Sequence, residues 1–201
     1  VVKLIRKLFR LFELLNKEKR KRKRNFREGR KGELSVYRYL CRMGYEDAIM
    51  HDLILRDPKT GVMAQVDILL ATKNAVLIIE VKTQNFRCME GHVDSDSWTV
   101  IYGNGKRYAS NNMYKQALKQ KKVVQSLLKK YGILCPVYSV VFIQNKNDNI
   151  QVDIEGLNNA EVIFTTSLDR IDWNSIRKEP HGKVKKVFVA ENAKNSYVRL
   201  R

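Results

Sequence analysis

Two short apolar segments of this chain carry charges that apolar segments rarely hold. Residues 64–70 read Ala-Gln-Val-Asp-Ile-Leu-Leu, with Asp67 inside. Residues 76–82 read Val-Leu-Ile-Ile-Glu-Val-Lys, ending on Glu80 and Lys82. Charges are uncommon in such surroundings unless they are paired or bound to a metal. Strand side chains alternate, so Glu80 and Lys82 share a face. A tight turn at Lys73-Asn74 pairs Thr72 with Ala75, and the same register continued sets Asp67 directly opposite Glu80. Cross-strand neighbours have Cβ atoms about 4.5–5.5 Å apart. Two carboxylates that close repel, and one is driven to protonate unless a cation intervenes. A hard divalent cation such as Mg²⁺ would hold both through oxygen ligands. Lys82 is then placed to orient or activate a water, or to stabilise developing negative charge. A plainer alternative stays open: an ordinary i, i+2 ion pair of Glu80 and Lys82, with Asp67 a lone strand-edge acid.

The elements that must position these residues follow from periodicity. A helix is predicted over 30–43, with Leu34, Tyr37, Leu40 and Cys41 on one face and Gly44 as its stop. Glu33 shares the face of Tyr37 and Leu40, so a third acid points towards the core. Strands are predicted at His51–Leu55, Val62–Ala71, Ala75–Thr83 and Trp98–Tyr102. Asn112–Tyr131 is the strongest helix, capped by Asn111 or Asn112 and stopped by Gly132. Gln116 lies on it, one turn before Gln120. Pro136–Gln144 is a nearly continuous apolar strand, the kind buried on both faces. Gln151–Ile154 and Val162–Thr166 are shorter candidates. The order predicts an α/β fold around a mixed sheet. In the tail, Trp173 and Tyr197 are expected to pack on the domain, Pro180-His181-Gly182 to turn, and Val184–Ala190 to add a late strand.

In series these pieces resemble the nuclease-related domain, NERD, of the PD-(D/E)-x-K nuclease superfamily. The matching pieces are G-x-x-G-E at Gly29–Glu33, Q-V-D at Gln65–Asp67 and I-I-E-V-K at Ile78–Lys82. Trp98, Gly105-Lys106 and N-x-x-x-Q at Asn112–Gln116 follow in the family's order. Two positions depart from the pattern: Met113 stands for the family's usual proline, and Val66 for the proline of the superfamily name. The resemblance covers about Arg27 to Gln144. It implies a restriction-endonuclease-like core, a central mixed β-sheet flanked by helices. It implies a catalytic set of Glu33, Asp67, Glu80, Lys82 and Gln116, and a metal-binding set of Asp67, Glu80 and Val81. The implied cofactor is Mg²⁺ or Mn²⁺. The implied reaction is hydrolysis of DNA phosphodiester bonds, with RNA not excluded as substrate.

Charge points to polyanions as well. The chain has 201 residues and a net charge of +18. Residues 1–32 hold 14 basic and 3 acidic residues, so most of the excess sits in an N-terminal arm. Leu4, Leu8, Leu11 and Leu15 with interspersed cations form a basic amphipathic helix pattern, and Lys17 to Arg24 is a charge run. The arm leaves three readings open: an anionic membrane surface met through residues 1–24, nucleic-acid phosphates, or a solvated surface helix and linker. Lys106, Arg107, Lys115, Lys119 and Lys122 are the expected nucleic-acid contacts in the domain. No base-reading motif is present, so backbone or structure is the expected feature recognised. Cys41, Cys88 and Cys135 have no C-x-x-C spacing, and the expected compartment is reducing and cytoplasmic, with membrane association through the arm. The expected organisation is an arm over 1–27, a nuclease-like domain over 28–165 and a C-terminal extension over 166–201. A catalytically weak module that binds nucleic acid or tethers at a membrane is the competing function.

Overall fold

The structure is a computed structural model that describes residues 23–145, 150–157 and 161–196. The amphipathic pattern of residues 1–15 and Tyr197 lie outside the described residues. Among the described residues, no helix is long and apolar enough to cross a membrane.

Among the described residues, the first helix, α1, covers residues 23–42. Residues 23–29, ahead of the predicted start at 30, are already helical, as suits a stretch rich in Lys and Arg, which are good helix formers. The buried row is Gly32, Val36 and Leu40, at i, i+4 and i+8. Leu34, predicted for that face, is 44% exposed. Gly44 ends the helix with φ 87°, its N–H bonded to the Cys41 carbonyl and that of Tyr45 to Leu40.

Five strands make the main sheet, in the order β1-β2-β3-β7-β9. They are β1 (Ile49–Arg56), β2 (Met63–Ala71), β3 (Val76–Thr83), β7 (Val137–Gln144) and β9 (Ile163–Thr165). β1, β2 and β3 run antiparallel, whereas β7 and β9 join parallel to β3. α2 (Met113–Lys130) and α3 (Gly182–Asn195) cover one face, with Val124, Leu127, Val184 and Phe188 in that core. α1 covers the other, where Val36 and Leu40 meet Ile79, Val81 and Trp173. The mixed α/β architecture expected from the sequence is the one observed.

A second sheet, ordered β6-β5-β4-β8, was not predicted as a sheet. Its members are β4 (Cys88–His92), β5 (Ser97–Ile101), β6 (Arg107–Asn111) and β8 (Gln151–Glu155). β6 is mostly exposed, so it has no apolar alternation to detect. β4 carries Gly91, whose missing side chain admits Trp98; a Cβ there would stand 2.5 Å from the indole.

The tail differs from expectation. Val184–Ala190 is part of helix α3, not a strand. Its buried residues, Val184, Phe188, Glu191 and Asn195, recur at helical spacing, and the β-branched valines concealed that period. Pro180-His181-Gly182 opens this helix: His181 caps it through its side chain, and Pro180 bridges to Thr72.

Candidate active site

The β2–β3 ladder follows the register read from the sequence, from Ala71↔Val76 to Ile68↔Ile79. The next step would pair Asp67 with Glu80. There the two strands part. The Val81 N–H donates to Asp67 Oδ2 at 2.9 Å rather than to a β2 carbonyl.

The disturbance begins on β1. Asp52 has φ 55°, the left-handed region that only Gly and, less often, Asn and Asp visit readily. The β1–β2 ladder passes from His51↔Ile68 to Leu53↔Val66 and skips the pair between them, Asp52 and Asp67. The faces of β2 exchange at the same place. Ile68 and Leu70 pack on the α1 side, whereas Val66 and Ala64 pack on the α2 and α3 side.

Four predicted residues meet at this opening. Glu80 is 2% exposed and Asp67 9%. Lys82 Nζ donates to Glu80 Oε1 at 2.5 Å and to Gln116 Oε1 at 3.0 Å. Gln116 Nε2 donates to the same Glu80 oxygen at 2.6 Å. The N-x-x-x-Q spacing has a structural cause. Asn112 Oδ1 accepts from the Lys115 N–H and caps α2, while Nδ2 donates to the carbonyls of Val93 and Ser95. That anchors the helix start on the second sheet and leaves Gln116 one turn further, over Glu80.

Sequence reasoning missed Gln120. It is 2% exposed, and its Nε2 donates to Glu80 Oε2 at 2.5 Å and to the Gln65 carbonyl at 2.7 Å. A polar residue inside the apolar row Ala117, Val124, Leu127 was the available signal.

Glu33 arrives from α1. Gly32 lies so close to the sheet that a Cβ would stand 2.0 Å from Thr83 Oγ1 and 2.8 Å from Gln144 Oε1. This approach seats α1 on the ends of β3 and β7 and leaves Glu33 half-buried. With Gln65, Tyr37 and His51 it lines a cleft of about 800 Å³.

Burial pushes the Asp67 carboxyl up to about 7, and the charge of Glu80 adds to the effect, with a smaller push from Glu33. The Val81 N–H and Lys82 oppose the rise. The site thus gathers more carboxylate groups than Lys82 alone offsets. Its donors are oxygens, the type that hard divalent cations take. A strand residue sends its N–H and C=O to the same side, so the Val81 carbonyl leaves towards the gap as well. Among the described residues, no group of three or more His, Cys, Asp or Glu side chains is assembled to hold a metal.

The predicted nucleic-acid contacts fall into two groups. Lys115, Lys119 and Lys122 lie on the exposed side of α2, and Lys119 and Lys122 line a groove with Asp57 and Thr60. Lys106 and Arg107 sit at the β5–β6 turn. Two of the five are engaged in ion pairs, Lys115 with Asp96 at 2.9 Å and Arg107 with Glu90 at 2.6 Å.

A family model described as nuclease-related domain, NERD, matches residues 28–144, more than half of the chain. The chain belongs to the NERD family. The NERD match runs from α1 to the last residue of β7, so it includes every residue of the cluster around Glu80. β8, β9 and α3 lie beyond it. No curated protein and no solved structure matches the chain.

Proposed function

We propose that this NERD domain is a metal-dependent nuclease that hydrolyses DNA phosphodiester bonds and recognises backbone or structure rather than sequence. The observation that carries this reading is the buried pair Asp67 and Glu80, joined to Lys82 where β2 and β3 separate. Asp67, Glu80 and the Val81 carbonyl would hold Mg²⁺ or Mn²⁺. Such an ion polarises the scissile phosphate and lowers the pKa of a bound water.

The chain's own residues do the positioning. Lys82 has two of its donors committed, to Glu80 and Gln116, which aims the ammonium and leaves a third for the attacking water or a phosphate oxygen. Its charge opposes the negative charge that grows on the phosphoryl oxygens. Gln116 and Gln120 fix both oxygens of Glu80, so the carboxylate does not rotate away. Glu33 stands at the edge of the cleft, where it can orient a water or a ligand of the inner set.

The deciding experiment is cleavage of labelled single-stranded, double-stranded and circular DNA in Mg²⁺, Mn²⁺ or EDTA, beside Glu80→Gln and Lys82→Ala proteins. Metal-dependent cutting reduced roughly 100-fold or more in both variants is expected. Salt-sensitive DNA binding by a folded protein that cuts nothing in either metal would favour a binding module instead.

A further inference from the structure

A second cleft, of about 900 Å³, opens between residues 24–32 of α1 and the β5–β6 hairpin. Its floor is Thr83, Gln84 and Asn85, which directly follow Lys82, with Gln144 and Asn145 at the end of the neighbouring parallel strand. Sheets of this kind take ligands outside the carboxyl ends of their parallel strands. The volume falls within the range of about 300–1,000 Å³ usual for ligand clefts.

The two walls differ in chemistry. On the hairpin side stand Tyr102 and Tyr108, whose rings meet edge to face at 5.5 Å and 87°. Tyr102 thereby fixes the plane of Tyr108, which is half exposed. On the helix side Arg24 and Lys31 line the cleft, and Lys23 and Arg27 extend the basic rim. Glu28 is the acid among them and pairs with Lys31 at 3.2 Å. The floor also has unmet polar capacity. Thr83 Oγ1 and Gln84 Oε1 are buried with no hydrogen-bond partner. Such atoms are costly, and a donor entering the cleft would relieve them after a change of side-chain rotamer.

We infer that this cleft binds unpaired nucleotides, with a base stacked on Tyr108 and the phosphates running along the α1 rim. A basic track beside an aromatic platform is how proteins hold single strands. Amide side chains read base edges that are free only when the base is unpaired. A duplex keeps its bases stacked and offers phosphates on a convex surface, which would leave the tyrosine and the amides without a role. The choice of nucleic acid as ligand rests on the proposed nuclease reading. The cleft floor begins at Thr83, the residue that follows Lys82 on β3.

The test is fluorescence anisotropy with the full chain in EDTA, using a short labelled mixed-sequence oligonucleotide, single-stranded or as a blunt duplex. The wild-type protein is expected to prefer the single strand. Tyr108→Ala should weaken single-strand binding roughly 5- to 150-fold, the loss of one stacked base, and leave duplex binding essentially unchanged. Tyr108→Phe should keep the affinity. Preference for the duplex, an equal loss on both ligands, or no loss in Tyr108→Ala would overturn the inference. None of these readouts needs cleavage. A protein that cuts DNA with Tyr108 irrelevant refutes the cleft alone. A protein that binds as expected and never cuts refutes the nuclease reading alone.

Discussion

The backbone N–H of Val81 is bonded to the Asp67 carboxylate, in the place where a continued ladder would have used a β2 carbonyl. That bond marks the separation of the two strands that carry the acids. It holds Asp67 beside Glu80 without closing the gap between the strands. It also opposes the rise in the Asp67 pKa, and burial and the neighbouring acids outweigh it.

A pH dependence follows. The folded-state pKa of Asp67 is about 7, above its ordinary 3.8, so the folded protein holds the proton more tightly than the unfolded chain. Its contribution to stability is fully present below about 3.8 and is lost as pH rises through 7. In EDTA, Asp67→Asn should be more stable than wild type at pH 8, by up to a few kcal/mol, and the gap should close towards pH 4. Thermal melts of both proteins across that range measure it. The proton also competes with a metal, so Mg²⁺ affinity should climb with pH and level off above about 7. A wild-type protein with pH-independent metal affinity between 5 and 8 would contradict this account.

Much of the site was legible because strand register is legible. The turn at Lys73-Asn74 set the pairing of β2 with β3, and four of its partner pairs appear as expected. What the sequence hid was the change of face in β2. Period-two reasoning assumes an unbroken strand, and the break depends on the backbone of Asp52 fifteen residues away, which no side-chain pattern reports. β4 and β6 were hidden for another reason. One is built around a glycine and the other is mostly exposed, so neither has an apolar stripe.

The two glycines of the first motif should behave oppositely. Gly32→Ala puts a methyl group 2.0 Å from Thr83 Oγ1 and 2.8 Å from Gln144 Oε1, so these buried-side contacts must give way, by rotation of the side chains or by a shift of α1. A loss of about 1–3 kcal/mol is expected, with lower activity to the extent that the shift carries Glu33 with it. Gly29 has nothing within 4 Å of an added Cβ and lies within the helix. Gly29→Ala should therefore gain roughly 0.5–1 kcal/mol from helix propensity. Denaturant midpoints of both variants check the pair.

The last helix should be as necessary to folding as the motifs. Phe188 is fully buried in the core shared with β1, β2 and α2, and Glu191 accepts from the Tyr131 hydroxyl at 2.6 Å. Phe188→Ala should lose about 3–5 kcal/mol. Val189, one residue further and 57% exposed, should tolerate alanine. Equal melting temperatures for the two variants would mean that α3 does not belong to the cooperative unit.

Gln120 offers the sharpest test of how Glu80 is held. Its amide orientation is forced, because both partners of Nε2 are acceptors, a carboxylate and the Gln65 carbonyl. The amide oxygen is left buried without a partner, so this contact is kept at a cost. Gln120→Leu removes the donor and retains bulk. Glu80 then loses the bond to one oxygen, and metal affinity should fall about 10- to 100-fold, as when a metal ligand loses its supporting partner. Gln120→Glu is worse at neutral pH, since a further carboxylate faces Glu80. In acid it acquires an O–H that can donate, so its stability relative to wild type should recover as pH falls. Calorimetric titration with Mn²⁺ and melts at pH 5 and 8 separate these effects. Unchanged Mn²⁺ affinity in Gln120→Leu would mean that Lys82 and Gln116 hold the carboxylate without it.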